Sequence, residues 1–188
     1  TIPGYVKAEL KDNLLYYVQN KENGGFGYSS PDNWLNVAKT GAGLVGLALT
    51  KISYSDERAT AGLDFIDANW STADPIGPAY NIGDFYAMYA VMKGMKSYQM
   101  MGIDTTFIGG HDWYDEYAKW EIINQNSDGS WGSLVNSYGP VVDTACGVLI
   151  LMPQIFEIGP TAVAQVSPAS VSVGEEVTFD HSASFHSD

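Results

Sequence analysis

Basic residues are scarce in this chain: nine Lys and Arg stand against 22 Asp and Glu among 188 residues, a formal net charge of −13. Binding to nucleic acid rests on clustered cations that neutralise phosphates, so no nucleic-acid partner is expected. Cysteine is scarcer still. Cys146 stands alone, which removes an intramolecular disulfide framework. The apolar run from Val141 to Met152 falls well short of the roughly 20 residues that span a bilayer, and it reads as a buried helix rather than a membrane span.

Chemical signatures are missing as well. Gly24-Gly25-Phe26-Gly27 lacks the Lys and the following Ser or Thr of a phosphate loop. No Ser lies in a Gly-x-Ser-x-Gly elbow, so a nucleophilic triad has no positional support. Asn124 to Gly129 imitates the start of a calcium loop, yet the twelfth position is Val135, where a bidentate Glu is needed. No metal and no cofactor are expected.

What the chain does have is apolar content, 45% of its residues, enough to bury one sizeable core and part of a second. The apolar positions recur at helical spacing in six stretches, and the fold is read as mainly α. Val6, Leu10, Leu14, Tyr17 and Val18 mark the first helix, and Val37, Gly41, Leu44, Ala48 and Ile52 the second. Ala59, Gly62, Leu63 and Ile66 mark the third, behind the capping pattern Ser53-Tyr54-Ser55-Asp56. The loop chemistry of Asp74 to Pro78 precedes a fourth helix with Phe85, Met88, Tyr89, Met92 and Met95 on one face. A fifth opens near Asp112 with Trp113, Tyr117 and Trp120, and a sixth near Val142. Gly41, Gly43 and Gly46 weaken the second helix, which makes sense where a neighbouring helix must approach closely.

Two glycine-aromatic turns suggest a repeat. Gly27 and Gly132 lie about 105 positions apart, and a middle copy reduces the unit to roughly 50 residues. Gln19 aligns with Gln125, Phe26-Gly27 with Trp131-Gly132, and Thr40 with Thr144. Gln125, Gly129 and Trp131 resemble the glutamine-tryptophan signature of the squalene-cyclase and prenyltransferase repeat family, and Gln19 to Phe26 resembles a degenerate copy of it. That resemblance implies a partial α/α toroid of about three helical hairpins over residues 1–158. Gln19, Phe26, Gln125, Gly129 and Trp131 would be its structural turn residues.

Residues 159–188 differ in character. Val171 and Val173, then Val177 and Phe179, alternate with polar residues around Gly174-Glu175, as strands do. With Ser167-Pro168 and Val177-Thr178-Phe179-Asp180 this stretch resembles the opening strands of a PKD-type, immunoglobulin-like domain. The resemblance implies a linker and first strands of a truncated sandwich, a fragment of a longer protein, and a secreted or cell-surface location.

The cyclases protonate their substrates with an Asp-x-Asp-Asp run, which is absent. Prenyltransferases of the family hold zinc with Asp and Cys two apart and a distant His; Asp143 and Cys146 are three apart, and His181 falls in the strand-like tail, so no zinc is expected. The resemblance places Trp34, Asp84, Tyr86, His111, Trp113 and Asp143 around a polar-aromatic cleft for a glycan, a peptide or a lipid head group, with Thr40, Asp84 and Asp143 near helix N-termini. The expected function is a non-catalytic binding module of a larger secreted or surface protein. Its partners would be such a ligand, the remainder of its own precursor or a second copy. The alternatives are an enzyme of the terpenoid-cyclase or polysaccharide-acting class and a structural spacer.

Overall fold

The computed structural model describes residues 2–72, 81–134 and 137–152, together with two short strands at 165–167 and 178–180. The chain divides into two compact units, Thr1–Pro153 and Gln154–Asp188.

The described residues of the first unit form six α-helices: α1 (Gly4–Asp12), α2 (Val37–Leu49), α3 (Glu57–Ala68), α4 (Phe85–Gln99), α5 (Trp113–Asn124) and α6 (Pro140–Leu151). Short polar side chains set where most of them begin. Asn36, Asp56, Asp84 and Asp112 accept from the backbone N–H groups of Lys39, Arg58, Ala87 and Asp115 at 2.9, 2.9, 3.0 and 3.0 Å. Each satisfies a donor that the first turn of a helix leaves unpaired. α6 instead opens on Pro140 at its first position, after Gly139 with φ 95°; proline needs no partner for a missing N–H there. α1 runs on into a π-helical turn, Asn13–Val18, where Gln19 N–H reaches the Leu14 carbonyl at 3.1 Å.

The core centres on α2 and α4, which pack extensively on each other; α3 and α1 lie against α2, and α6 against α4. Gly41 permits this: a Cβ there would lie 2.6 Å from the backbone of Ala90, and one at Gly94 would lie 3.0 Å from the Gly41 carbonyl oxygen. α5 contacts α4 and α6. The sequence did not announce the hairpin that precedes α5, where β1 (Phe107–Ile108) pairs antiparallel with β2 (His111–Asp112).

A partial toroid of three hairpins is not what forms. The described helices make one compact six-helix bundle. A helix lining a central cavity keeps one face open, whereas Phe85, Ala87, Met88, Ala90, Val91, Met92, Gly94, Met95 and Tyr98 of α4 are all buried. At 100° per residue these positions wrap more than half of the helix, so α4 is the central element of the bundle, packed on α2 and α6, and not one stave of a ring. No helix among the described residues is long and apolar enough to cross a membrane.

The tail needs a second correction. β3 (Gln165–Ser167) pairs antiparallel with β4 (Thr178–Asp180), with Val166 opposite Phe179. Among the described residues this is an open two-stranded ladder, not an immunoglobulin-like sandwich, which needs two packed sheets to bury an inner face. The expectation of a secreted or surface location rested on that pattern. Val171, Val173, Val177, the Gly174-Glu175 turn and His181 lie outside the described residues, as do Asp74 to Pro78 and Val135.

Candidate functional site

The N-terminal ends of α4 and α6 are stitched together by backbone polar groups. Ahead of α4, buried Asn81 accepts from the N–H groups of Ser71 at 3.2 Å and Ile82 at 2.9 Å and donates from Nδ2 to the Tyr117 hydroxyl at 3.0 Å. Leu134 N–H donates to the Gly83 carbonyl at 2.8 Å, and Phe85 N–H to Ser133 Oγ at 3.3 Å. Asp143, buried in the first turn of α6, accepts at Oδ2 from Ser133 N–H (2.9 Å) and Ser137 Oγ (2.6 Å), and at Oδ1 from Tyr138 N–H (3.4 Å). These bonds hold the approach to α6.

That arrangement sets Tyr138 beside Tyr86, with ring centroids 5.3 Å apart and planes 54° apart. Tyr86 is 45% exposed and Tyr138 60%. Burial, then the nearby Tyr86 and Asp84, pushes the Tyr138 hydroxyl above its ordinary pKa. The pair therefore presents two phenol rings to solvent, and the Tyr138 backbone is tied to buried Asp143.

Of the six ligand-binding candidates, Asp84, Tyr86 and Asp143 come together here, joined by Tyr138. His111 and Trp113 make their contacts in another cluster. His111 stacks on Trp70 at 4.6 Å, with Nδ1 3.0 Å from Glu116 Oε1 and Nε2 3.8 Å from Asp67 Oδ1. Trp70 donates from Nε1 to Glu116 Oε2 at 2.7 Å and stacks in turn on buried Tyr117 at 5.3 Å. Trp113 is buried and donates to the Thr105 carbonyl at 2.7 Å, which pins the hairpin to α5. Trp34 stands on its own loop, 79% exposed, with φ 50°.

The turn residues match in hydrogen bonding. Gln19 and Gln125 donate from Nε2 to the carbonyls of Gly24 and Gly129, each at 3.0 Å. The N–H groups of Phe26 and Trp131 donate to Thr40 Oγ1 and Thr144 Oγ1, each at 3.0 Å. Gly24 and Gly129 have φ of 79° and 83°, a region costly for side chains with a Cβ.

Two important residues were not anticipated from sequence. Tyr138 sits in Ser137-Tyr138-Gly139-Pro140, whose Gly-Pro helix start was its available signal. Glu121 is buried on α5, and neither carboxylate oxygen has a hydrogen-bond partner; a single acid before Ile122-Ile123 was the hint. Cys146 is a free, buried thiol, its pKa raised by burial and then by Asp143, Asp84 and Glu121. Among the described residues no group of three His, Cys, Asp or Glu is placed to hold a metal ion.

The chain matches no family model, and no curated protein or solved structure matches it. The resemblances to squalene-cyclase and prenyltransferase repeats and to a PKD-type domain are accordingly not sustained. A Gln-Gly-aromatic turn is a local solution to closing a helix connection, and it does not dictate how the connected helices are arranged.

Proposed function

We propose that the helical unit is a non-catalytic binding module and that Tyr86 and Tyr138 form its ligand-facing platform. The observation that carries this reading is the pairing of two exposed phenols, 5.3 Å apart, on chain segments whose backbone Asp84 and Asp143 hold by hydrogen bonds. Aromatic faces offer apolar contact to the C–H side of a sugar ring, and phenolic hydroxyls both donate and accept hydrogen bonds. With a net charge of −13 the surface favours a neutral ligand over an anionic one. The ligand class is therefore a neutral polyhydroxylated chain, a glycan, in preference to a lipid phosphate. A secreted or cell-surface setting goes with that ligand.

An enzymatic role has less support. Glu121 and Asp143 are both shut away from solvent, and Asp143 is engaged by its own loop, so neither is presented to a bound substrate. Calorimetric titration with neutral oligosaccharides tests the proposal. Tyr86→Ala and Tyr138→Ala are each expected to weaken binding at least tenfold, with Trp34→Ala leaving it unchanged. Equal affinity in all four proteins, or release of cleaved sugar, overturns it.

A further inference from the structure

Glu121 occupies the last turn of α5, 0% exposed, with both carboxylate oxygens lacking a hydrogen-bond partner. Its own carbonyl accepts the indole N–H of Trp131 at 2.8 Å. α5 packs on α6 and α4, and the ionisable groups gathered at that junction are Cys146 and Asp143 on α6 and Asp84 at the start of α4. On α5 itself Lys119 is exposed and paired with Asp115. Among the described residues no Lys, Arg or His forms an ion pair with Glu121.

A charge in such a place, closed off from the surface, meets no donor and no cation among the described residues, and the ionisable groups at that junction are acids. A neutral carboxylic acid avoids the cost. We propose that Glu121 is a protonated latch, whose ionisation on the alkaline side loosens Trp131 and the backbone it anchors at Ser133 and Tyr138. The route is short. Trp131 N–H is tied to Thr144 Oγ1 on α6, and Ser133 and Tyr138 N–H groups are tied to Asp143 on the same helix. A carboxylate forced to seek water at Glu121 pulls on the segment whose indole rests on its carbonyl.

The direction of the pH dependence follows from the proton. Burial pushes the carboxyl from an ordinary 4.5 up to about 8. The folded protein then holds a proton that the unfolded chain releases. The stabilisation is fully present below about 4.5 and is lost as pH rises toward about 8; over that window this one group lowers the folding equilibrium constant about tenfold per pH unit.

Urea unfolding of the full chain and of Glu121→Gln, compared at intervals between about pH 5.5 and about pH 8, isolates this contribution because all other groups titrate in both proteins. The folding constant of Glu121→Gln relative to the parent is expected to rise about tenfold per pH unit. A ratio independent of pH overturns the proposal. Infrared spectroscopy of the parent protein decides the matter even where the variant does not fold. A protonated-carboxylic-acid band present near pH 6.5 and gone near pH 9.5, together with faster exchange of the Trp131 and Ser133 amides at the higher pH after correction for intrinsic exchange, supports the latch. No such band near pH 6.5, or exchange unchanged across its disappearance, sinks it.

Discussion

The turns before α2 and α6 use the same bonds in different surroundings. In both, a glutamine amide closes onto a glycine carbonyl and an aromatic N–H reaches a threonine on the next helix. Gln19 is completely buried and makes two further contacts, donating to the Arg58 carbonyl at 2.7 Å and accepting from Arg58 Nε at 2.8 Å. Arg58 continues the brace to the Leu15 carbonyl at 2.6 Å. Gln125 is exposed and makes only the local bond among those described. The first turn is thus tied to α3, whereas the second depends on its tryptophan. A repeated local geometry does not carry a repeated energy, because the value of a hydrogen bond depends on whether water replaces it when it is lost.

The aromatic positions should show the largest and most similar losses. Trp131→Ala and Phe26→Ala are each expected to destabilise the helical unit by about 3 kcal/mol or more, since both side chains are buried and both truncations leave large cavities. Chemical denaturation checks this, and a loss under about 1 kcal/mol at either position breaks the equivalence of the two turns.

The glutamines should part company. Gln19→Ala leaves Arg58 Nε and two carbonyls without partners in a buried place, at a cost of about 2 kcal/mol. Gln125→Ala exposes its glycine carbonyl to water and is expected to cost about 0.5 kcal/mol or less. Equal losses would show that exposure does not govern the difference.

The threonines come next. Thr40→Val strands the Phe26 N–H in a fully buried site and should cost about 1–2 kcal/mol, with Thr144→Val, half-buried, at the lower end of that range. Differential melting of the two variants measures the gap. Trp34→Ala, on the exposed loop of the first turn, should change stability by no more than about 0.5 kcal/mol, which serves as the reference against Trp131→Ala.

Legibility in the sequence followed the range of the interaction. Periodicity found all six helices, and the acids and amides that cap α2 to α5 lie directly at their starts. The paired turns were readable too, since each bond spans few residues apart from the threonine link. The hairpin Phe107–Asp112 was missed because its strands are two residues long, too short for alternation to show. Reading the turn motif as the mark of a toroid extended a local signal to a global arrangement that it does not specify. The candidate site was legible in part: Asp84, Tyr86 and Asp143 do meet, but Tyr138, whose ring lies beside Tyr86, carried no periodic signal.

Helix limits, capping residues and the glycines that let α2 approach α4 are properties of neighbouring residues, and the sequence by itself determined them. Asp84, which caps α4 through a bond three residues away, belongs with them. Tertiary structure alone decided the fate of the other two buried acids: Asp143 is held by a loop that packing brings onto α6, and Glu121 is sealed at the α5–α6 contact without a donor. The same side-chain chemistry acquires two roles, because solvation and available donors are set by which chain segments meet in space.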